Sequence, residues 1–138
     1  MVKWLIDGSK LEPQFRTDIF ILLSSSPYPW YVTSGWRGMK EQADLYMKYV
    51  HGGPKAAPPG KSAHNFGLAV DVVLDDPNKN GLQMLWSVKL PGWIWLKAAV
   101  WKHPRLHSLW SIGDWPHIER YKWYDYKNWN STKSLSEV

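Results

Sequence analysis

Residues 62–71 have the sequence SAHNFGLAVD and hold a histidine, a glycine and an aspartate around the start of an apolar run. The apolar side chains that alternate around Asp71 predict a strand over residues 67–73. His64 precedes this strand in a loop, and Gly67 allows the backbone to turn between the two. We therefore expect His64 and Asp71 to point to one side of the chain, where they can act together.

A later cluster, Asp114-Trp115-Pro116-His117, adds a second histidine. A catalytic zinc ion is held by three protein ligands from the His, Asp, Glu and Cys set and keeps one position open for water. The chain contains no cysteine, so only imidazole and carboxylate groups are available. His64, Asp71 and His117 form such a set, and we expect one Zn²⁺ ion there.

These segments resemble those of a known family. The first stretch fits the pattern SxHxxGxAxD, and DWPH resembles a later D/E-x-x-H element of the same family. The segment from Thr33 to Arg37, followed by Glu41-Gln42 and Leu45-Tyr46, is similar to its SGxR…EQ…LY segment. The family is that of the LAS-type zinc peptidases of peptidoglycan. It includes VanY and other D-alanyl-D-alanine carboxypeptidases, dipeptidases, and the L-alanyl-D-glutamate endopeptidases of phage endolysins.

The resemblance implies a role for each residue of a hydrolytic site. His64, Asp71 and His117 are the metal ligands, and zinc-bound water is the nucleophile. Asp114 lies three residues before His117 and is expected to act as general base and acid without being a ligand. Arg37 offers a planar fork of donors for an oxyanion or a nearby carboxylate.

Three further residues have expected supporting roles. Ser62 and Gln42 are predicted to contact substrate in the cleft. Glu119 is predicted to orient a ligand histidine from behind, as metal-bound imidazoles commonly require. The chain departs from its relatives in one place, since Trp110 to Gly113 leads directly into Asp114 where they have a longer WGGxW-containing loop. This loop forms a cleft wall.

The expected fold is a single α+β domain over residues 1–138, with a small, mostly antiparallel sheet and helices packed on one side. The resemblance identifies it as the LAS or hedgehog-like zinc peptidase fold. Periodicity predicts helices at 11–24, 39–50, 82–88 and 93–101, and strands at 30–33, 67–73, 106–111 and 117–120. Residues 131–138 are expected to be a loose tail.

Two segments have alternative interpretations. Residues 121–130, YKWYDYKNWN, favour packing as an edge strand, although their aromatic side chains could also stack on glycan. Asp76, Asn78 and Asn80 copy the first half of a DxNxNG calcium loop, but its twelfth position is Ser87 instead of a bidentate glutamate. An ordinary turn is favoured there, and Ca²⁺ is the alternative.

The composition limits the partners. The 138 residues carry a net charge of +5 and 11 tryptophans. This charge suits anionic wall polymers; it would suit nucleic acid equally, but the motifs favour peptidoglycan and predict no nucleic-acid partner. No run approaches the ~20 apolar residues of a membrane span, and the start lacks the apolar region of a signal peptide. We expect a monomer without membrane insertion, made in a host cytoplasm and released through a holin to act at the wall.

Among the activities that the resemblance offers, the DxPH motif and the minimal length favour an L-alanyl-D-glutamate endopeptidase that acts as a phage endolysin in host-cell lysis. The alternative peptidase activity is that of a D-alanyl-D-alanine carboxypeptidase. A different class remains open as well, namely a non-catalytic, zinc-stabilised wall-binding module.

Overall fold

The structure, a computed structural model, describes residues 2–76 and 84–129. These residues form three α-helices and a six-stranded mixed sheet. The helices are α1 (Pro13–Ser24), α2 (Met39–Val50) and α3 (Pro91–Lys102). The strands are β1 (Val2–Trp4), β2 (Trp30–Ser34), β3 (Ala69–Asp75), β4 (Met84–Leu85), β5 (Leu106–Leu109) and β6 (Asp114–Arg120).

The sheet has β3 near its centre. The strand order is β1-β2-β3-β6-β5, and the short β4 also pairs with β3. Only β1 and β2 run parallel among the described strands, and the other pairs are antiparallel. The two strands that flank β3 at Asp71, β2 and β6, therefore bring their side chains beside that of Asp71.

Helix α1 begins where its sequence provides a cap. Glu12 accepts hydrogen bonds from the backbone N–H groups of Gln14 and Phe15, at 3.0 and 2.8 Å. Pro13 occupies the first turn, where its missing N–H costs nothing. Phe15 and Ile19 lie one helical turn apart and are fully buried. The cap and the apolar stripe together fix both the start of α1 and the face that it turns to the core.

Helix α3 packs on the sheet through a very close contact. A Cβ atom at Gly92 would lie 2.6 Å from Leu74 Cδ1, so glycine allows the helix to lie directly over β3. The next residue, Trp93, is buried against Trp30 in an edge-to-face arrangement with ring centroids 5.1 Å apart. Its indole N–H donates to the carbonyl of Leu85 at 2.8 Å, which satisfies the polar atom of a buried ring.

The predicted α+β class is confirmed, and so are the three longer helices, α2 with the predicted bounds. The predicted helix at 82–88 is wrong for its described part, because Met84–Leu85 pairs with β3 as a strand. The strand predicted at 67–73 begins only at Ala69, after Gly67 has adopted a left-handed conformation. The strand predicted to extend to Ser111 ends at Leu109, where a 3₁₀ turn follows.

The edge strand predicted for residues 121–130 is wrong for residues 121–129. This segment forms turns and a short 3₁₀ helix, Trp123–Asp125. Trp123 stacks on Phe66 with ring centroids 5.7 Å apart, and the indole N–H of Trp129 donates to the carbonyl of Phe66 at 2.6 Å. The aromatic segment thus packs against the turn that contains His64. Asn78, Asn80 and the tail at 131–138 lie outside the described residues.

Candidate metal centre and active-site cleft

Asp71 lies in the middle of a row of side chains that crosses three strands. It is directly opposite His117 of β6 on one side and Ser34 of β2 on the other. Residues that are directly opposite in a sheet place their side chains on the same face. Ser34 reaches this position because β2 contains an extra residue between Val32 and Ser34, which shifts the register by one. Its hydroxyl donates to Asp71 Oδ2 at 2.5 Å.

His64 reaches the row from the turn that precedes β3. Ser62 caps this 3₁₀ turn, Ala63–Phe66, by accepting a hydrogen bond from the N–H of His64. The turn ends at Gly67, whose φ of 68° is left-handed. There the backbone also passes close to α1, since the carbonyl of Gly67 accepts from the N–H of Glu12 at 2.8 Å. Without this sharp reversal His64 would be carried away from Asp71.

The three side chains converge as a ligand set would. One ligand atom from each of His64, Asp71 and His117 lies within 4.8 Å of the other two. His64 Nε2 is 3.4 Å from Asp71 Oδ2, and His117 Nδ1 is 3.6 Å from Asp71 Oδ1. Ligands at zinc-bond lengths of about 2.0–2.1 Å in a tetrahedron lie about 3.4 Å apart, so these separations suit zinc.

The ring nitrogen of each histidine that does not face Asp71 forms a hydrogen bond within the protein. His64 Nδ1 donates to the carbonyl of Gly35 at 2.8 Å, and His117 Nε2 donates to Glu119 Oε1 at 2.6 Å. These contacts leave His64 Nε2 and His117 Nδ1 facing Asp71 and fix the orientation of both rings. Two imidazole nitrogens and one carboxylate oxygen, each oriented by a further hydrogen bond, form a donor set that fits a zinc ion.

The carboxylate of Asp71 and the ring of His117 shift each other's pKa values toward the charged forms. Burial of Asp71 opposes its ionisation, but hydrogen bonds from the two histidines outweigh this effect and hold its pKa well below the usual range. Burial also opposes protonation of His117, yet its hydrogen bonds to Asp71 and Glu119 raise its pKa to about 9. The site therefore has a strong affinity for positive charge. A divalent cation would compete for it with the proton of His117, because only a neutral nitrogen is a ligand.

Asp114 reaches the same cleft through an irregularity in β6. Ser108 of β5 is opposite Ile118, but the next residue, Leu109, is opposite Asp114. Residues 115–117 are thus extra on β6, and Pro116 among them has no N–H for the ladder. Asp114 and His117 consequently both line the cleft. Desolvation there raises the pKa of the Asp114 carboxyl above its usual value.

The cleft has a volume of about 1010 Å³, and Arg37 forms part of its wall. The guanidinium of Arg37 lies 4.0 Å from Asp71 Oδ2 through Nη2. Through Nη1 it donates to Gln42 Oε1 at 3.1 Å. The amide of Gln42 in turn donates to the carbonyl of Ala57 at 2.7 Å. Both ends of the Gln42 side chain are therefore engaged within the protein.

A known family covers most of the chain. The model of the VanY family, described as D-alanyl-D-alanine carboxypeptidase, matches residues 20–103. The chain belongs to this family. The matched range includes Arg37, His64 and Asp71, and it ends before Asp114 and His117. Membership in the VanY family confirms the predicted LAS-type peptidase of peptidoglycan.

Solved structures with the same fold are known. The L-Ala D-Glu endopeptidase ChiX of Serratia marcescens has a TM-score of 0.62 and 23% identity, and the alignment covers 87% of this chain and 86% of ChiX. DacB of Streptococcus pneumoniae, in one structure described as an L,D-carboxypeptidase, has TM-scores of 0.53 and 0.50 with 20% identity, over 96% of this chain and 79% of DacB. No curated protein sequence matches. In the described part of this VanY-family chain no helix has the length and apolarity to cross a membrane.

The two predicted substrate-contacting residues, Gln42 and Ser62, both lie in the lining of the cleft of this VanY-family site, and each is also bonded within the protein. Gln42 lines the cleft but is only 1% exposed, because both ends of its side chain are bonded within the protein, to Arg37 and Ala57. Ser62 lines the cleft, but its oxygen caps the His64 turn. Glu119 is behind His117, where the sequence had placed it.

Sequence reasoning missed two residues of the site. Ser34 has no role of its own in the sequence analysis, where it is only part of the segment from Thr33 to Arg37, yet its hydroxyl donates to the carboxylate of Asp71. Asn65 was not singled out, yet its buried amide donates to the carbonyl of Arg37 and accepts from the N–H of Gly60. Both residues lie inside the quoted motifs, so their position next to Gly35 and His64 was the available signal.

Proposed function

We propose that this chain is a zinc-dependent peptidase that hydrolyses the stem peptides of peptidoglycan. The observation that carries the proposal is the convergence of His64, Asp71 and His117 at the floor of a cleft that Asp114 and Arg37 also line. A bound zinc ion would polarise a carbonyl group and lower the pKa of a water molecule toward ~7. Membership in the VanY family supports this reaction class.

Asp114 is the proposed general base and acid. Its carboxylate accepts a proton from the attacking water and later gives it to the leaving amine, as amide hydrolysis requires. A raised pKa suits both halves of this task, because the group must hold the proton between the two steps. Asp114 lies on the same strand as His117 but has no place in the ligand cluster, which leaves its oxygens available.

Arg37 is the proposed stabiliser of negative charge on the substrate. Its side chain is fixed by Gln42, and its backbone N–H donates to the carbonyl of His64 at 2.9 Å. A guanidinium held in this way needs little reorganisation when an oxyanion develops beside it. Its Nη2 lies 4.0 Å from Asp71 Oδ2, so the two side chains form an ion pair at the edge of the ligand cluster.

A substitution tests whether the site is catalytic. Asp114→Asn keeps the shape of the side chain but removes the proton acceptor, and kcat on purified peptidoglycan should fall by about 10²–10⁴ with zinc still bound. Asp125→Asn, outside the cleft lining, is the matched control. A non-catalytic wall-binding module would hydrolyse no peptidoglycan, either as wild type or as Asp114→Asn. Replacement of His64 would then reduce only its binding to the wall.

The bond that is cut is proposed to be the L-alanyl-D-glutamate bond. The DxPH motif favours it, and the fold shared with the ChiX endopeptidase is compatible with it. The VanY description favours D-alanyl-D-alanine carboxypeptidase activity instead. Mass spectrometry of digested sacculi separates the two, because the first exposes N-terminal D-glutamate and the second releases free D-alanine.

We further propose that the chain acts as a phage endolysin, as the sequence resemblance implies. Added purified protein should then lyse bacteria whose outer barrier has been permeabilised, and the turbidity of the suspension should fall within minutes. If sacculi are digested but such cells stay intact, the enzyme serves wall turnover and the endolysin role is wrong.

A further inference from the structure

Three lysines stand along one part of the cleft rim. Lys48 lies near the end of α2, and Lys55 and Lys61 lie in the loop at residues 51–61. All three line the cleft and are exposed. We refer to Lys48, Lys55 and Lys61 as the lysine rim. The proposed hydrolysis assigns no role to these three lysines.

The lysine rim has no anionic partner within the protein. No acidic residue occurs between Asp44 and Asp71 in the sequence. None of the three lysines forms an ion pair with any residue in the ranges 2–76 and 84–129. Of the carboxylates that line the cleft, Asp71 is engaged with Ser34 and the histidines and Glu119 with His117, while Asp114 forms no ion pair with any of the three lysines in the described ranges. The rim therefore presents uncompensated positive charge to whatever occupies the cleft.

Two buried amides hold the rim loop in place. Gln42 binds the carbonyl of Ala57 and Asn65 binds the N–H of Gly60, so the loop is fixed at two points between Lys55 and Lys61. The same amides bind the side chain and the backbone carbonyl of Arg37. The loop that carries two of the lysines is thus fixed to Arg37, whose guanidinium lies 4.0 Å from the carboxylate of Asp71. This arrangement fixes the backbone between Lys55 and Lys61 relative to Arg37.

We propose that the lysine rim is a subsite for a free carboxylate of the peptide substrate. The inference rests on the proposed function, and it adds a substrate class: stem peptides with an ionised carboxyl group near the scissile amide, as opposed to amidated ones. Such a carboxylate has two possible sources in a stem peptide, a carboxyl group on an internal residue or the carboxyl terminus. Both offer the same charge, and exposed lysines attract it through a field that salt screens.

The test uses synthetic stem peptides that differ in one group. One peptide has both carboxylates free, a second has an amide in place of the internal carboxylate, and a third has a C-terminal amide. The variant Lys55→Met/Lys61→Met keeps most of the apolar stems and removes two charges. Lys40→Met/Lys102→Met removes the same charge from exposed positions outside the cleft lining and is the matched control.

For the wild-type protein, KM should rise roughly 3- to 20-fold on amidation of the recognised carboxylate, with little change in kcat. The Lys55→Met/Lys61→Met variant should already have the higher KM for the peptide with free carboxylates, and amidation of that peptide should not raise its KM further. The amidated peptide that causes the change identifies the source of the carboxylate. Equal KM values of wild type and rim variant for all three peptides would overturn the proposal, as would an equal loss in the control variant.

Calorimetric binding of the same peptides keeps this test separate from the test of hydrolysis. In one outcome no peptide is cut, but the free acid binds several-fold more tightly than its amide, and this preference is lost in the Lys55→Met/Lys61→Met variant. The subsite then stands and the proposed reaction fails. If peptides are cut with no preference for the free acid, the reaction stands and the subsite fails. Higher salt should weaken the preference in the first case.

Discussion

Asp71 and His117 are direct cross-strand partners in the antiparallel ladder of β3 and β6. Their side chains must therefore emerge on the same face of the sheet, and His117 Nδ1 lies 3.6 Å from Asp71 Oδ1. A slip of one residue in this pairing would turn every side chain of β6 to the other face. The proposed metal centre thus depends on the register of the sheet as much as on the identity of its ligands.

Replacement of either partner should abolish zinc binding. We expect His117→Ala and Asp71→Ala to lower the zinc content of purified protein from about one ion per chain to near zero, because two remaining donors hold zinc weakly. Elemental analysis after dialysis measures this. His107→Ala is the control, since His107 is exposed and lies outside the ligand set. Full zinc occupancy in His117→Ala would contradict the assignment.

Loss of the group behind His117 should have a weaker effect. Glu119→Gln replaces the carboxylate that accepts from His117 Nε2, and we expect zinc affinity to fall about 10- to 100-fold. Competition with a fluorescent chelator measures this change. Excess zinc should restore the activity, which it would not do if the substitution had simply damaged the fold. Unchanged affinity would show that Glu119 has no role in orienting the ligand.

The local parts of this fold could be predicted from sequence because their causes are local. The apolar stripe of α1 and the Pro and Glu residues at its start indicate a helix without reference to the rest of the chain. The same is true of Gly67, whose left-handed turn follows from the absence of a side chain. His64 and Asp71 lie within one short motif around Gly67, so these two ligands of the candidate site could also be predicted from local sequence.

The remaining features depend on contacts between distant segments. Pro116 marks an irregularity in β6, but the number of extra residues, 115–117, is defined only by the pairing with β5. Likewise, the aromatic segment after Arg120 alternates like a strand, but Phe66 offers Trp123 a ring to stack on and Trp129 a carbonyl. Tertiary packing outweighed strand propensity in this segment.

Gly67→Ala should destabilise the protein strongly. A Cβ atom there would lie 2.3 Å from the backbone carbonyl oxygen of Lys10, and the φ of 68° is unfavourable for alanine in any case. We expect a loss of about 2–4 kcal/mol in the free energy of unfolding, measured by urea denaturation. Gly52→Ala separates the two causes, because Gly52 has a φ of +96° but nothing within 4 Å of the new atom. It should lose only about 1 kcal/mol, and equal losses at both positions would show that the contact with Lys10 has no effect.

Asp18 and Arg105 should give the stability of the fold a dependence on acid pH. Arg105 donates from Nε and Nη2 to the two oxygens of buried Asp18, at 2.8 and 2.9 Å, and joins α1 to the segment before β5. This hydrogen bonding lowers the pKa of Asp18 in the folded state, despite an opposing effect of burial. The unfolded chain therefore binds a proton at a higher pH than the folded protein does. The stabilisation is complete above the unfolded pKa of about 3.9 and disappears as the pH falls through the folded value.

Asp18→Asn should consequently be less stable than wild type near neutral pH, and the difference should shrink as the pH falls below about 4. Urea denaturation at a series of pH values from about 3 to 7 measures it. Asp44→Asn, on the exposed face of α2, is the control for the loss of one carboxylate. A difference between wild type and Asp18→Asn that stays constant or grows as the pH falls would mean that the ion pair is not the source of the acid sensitivity.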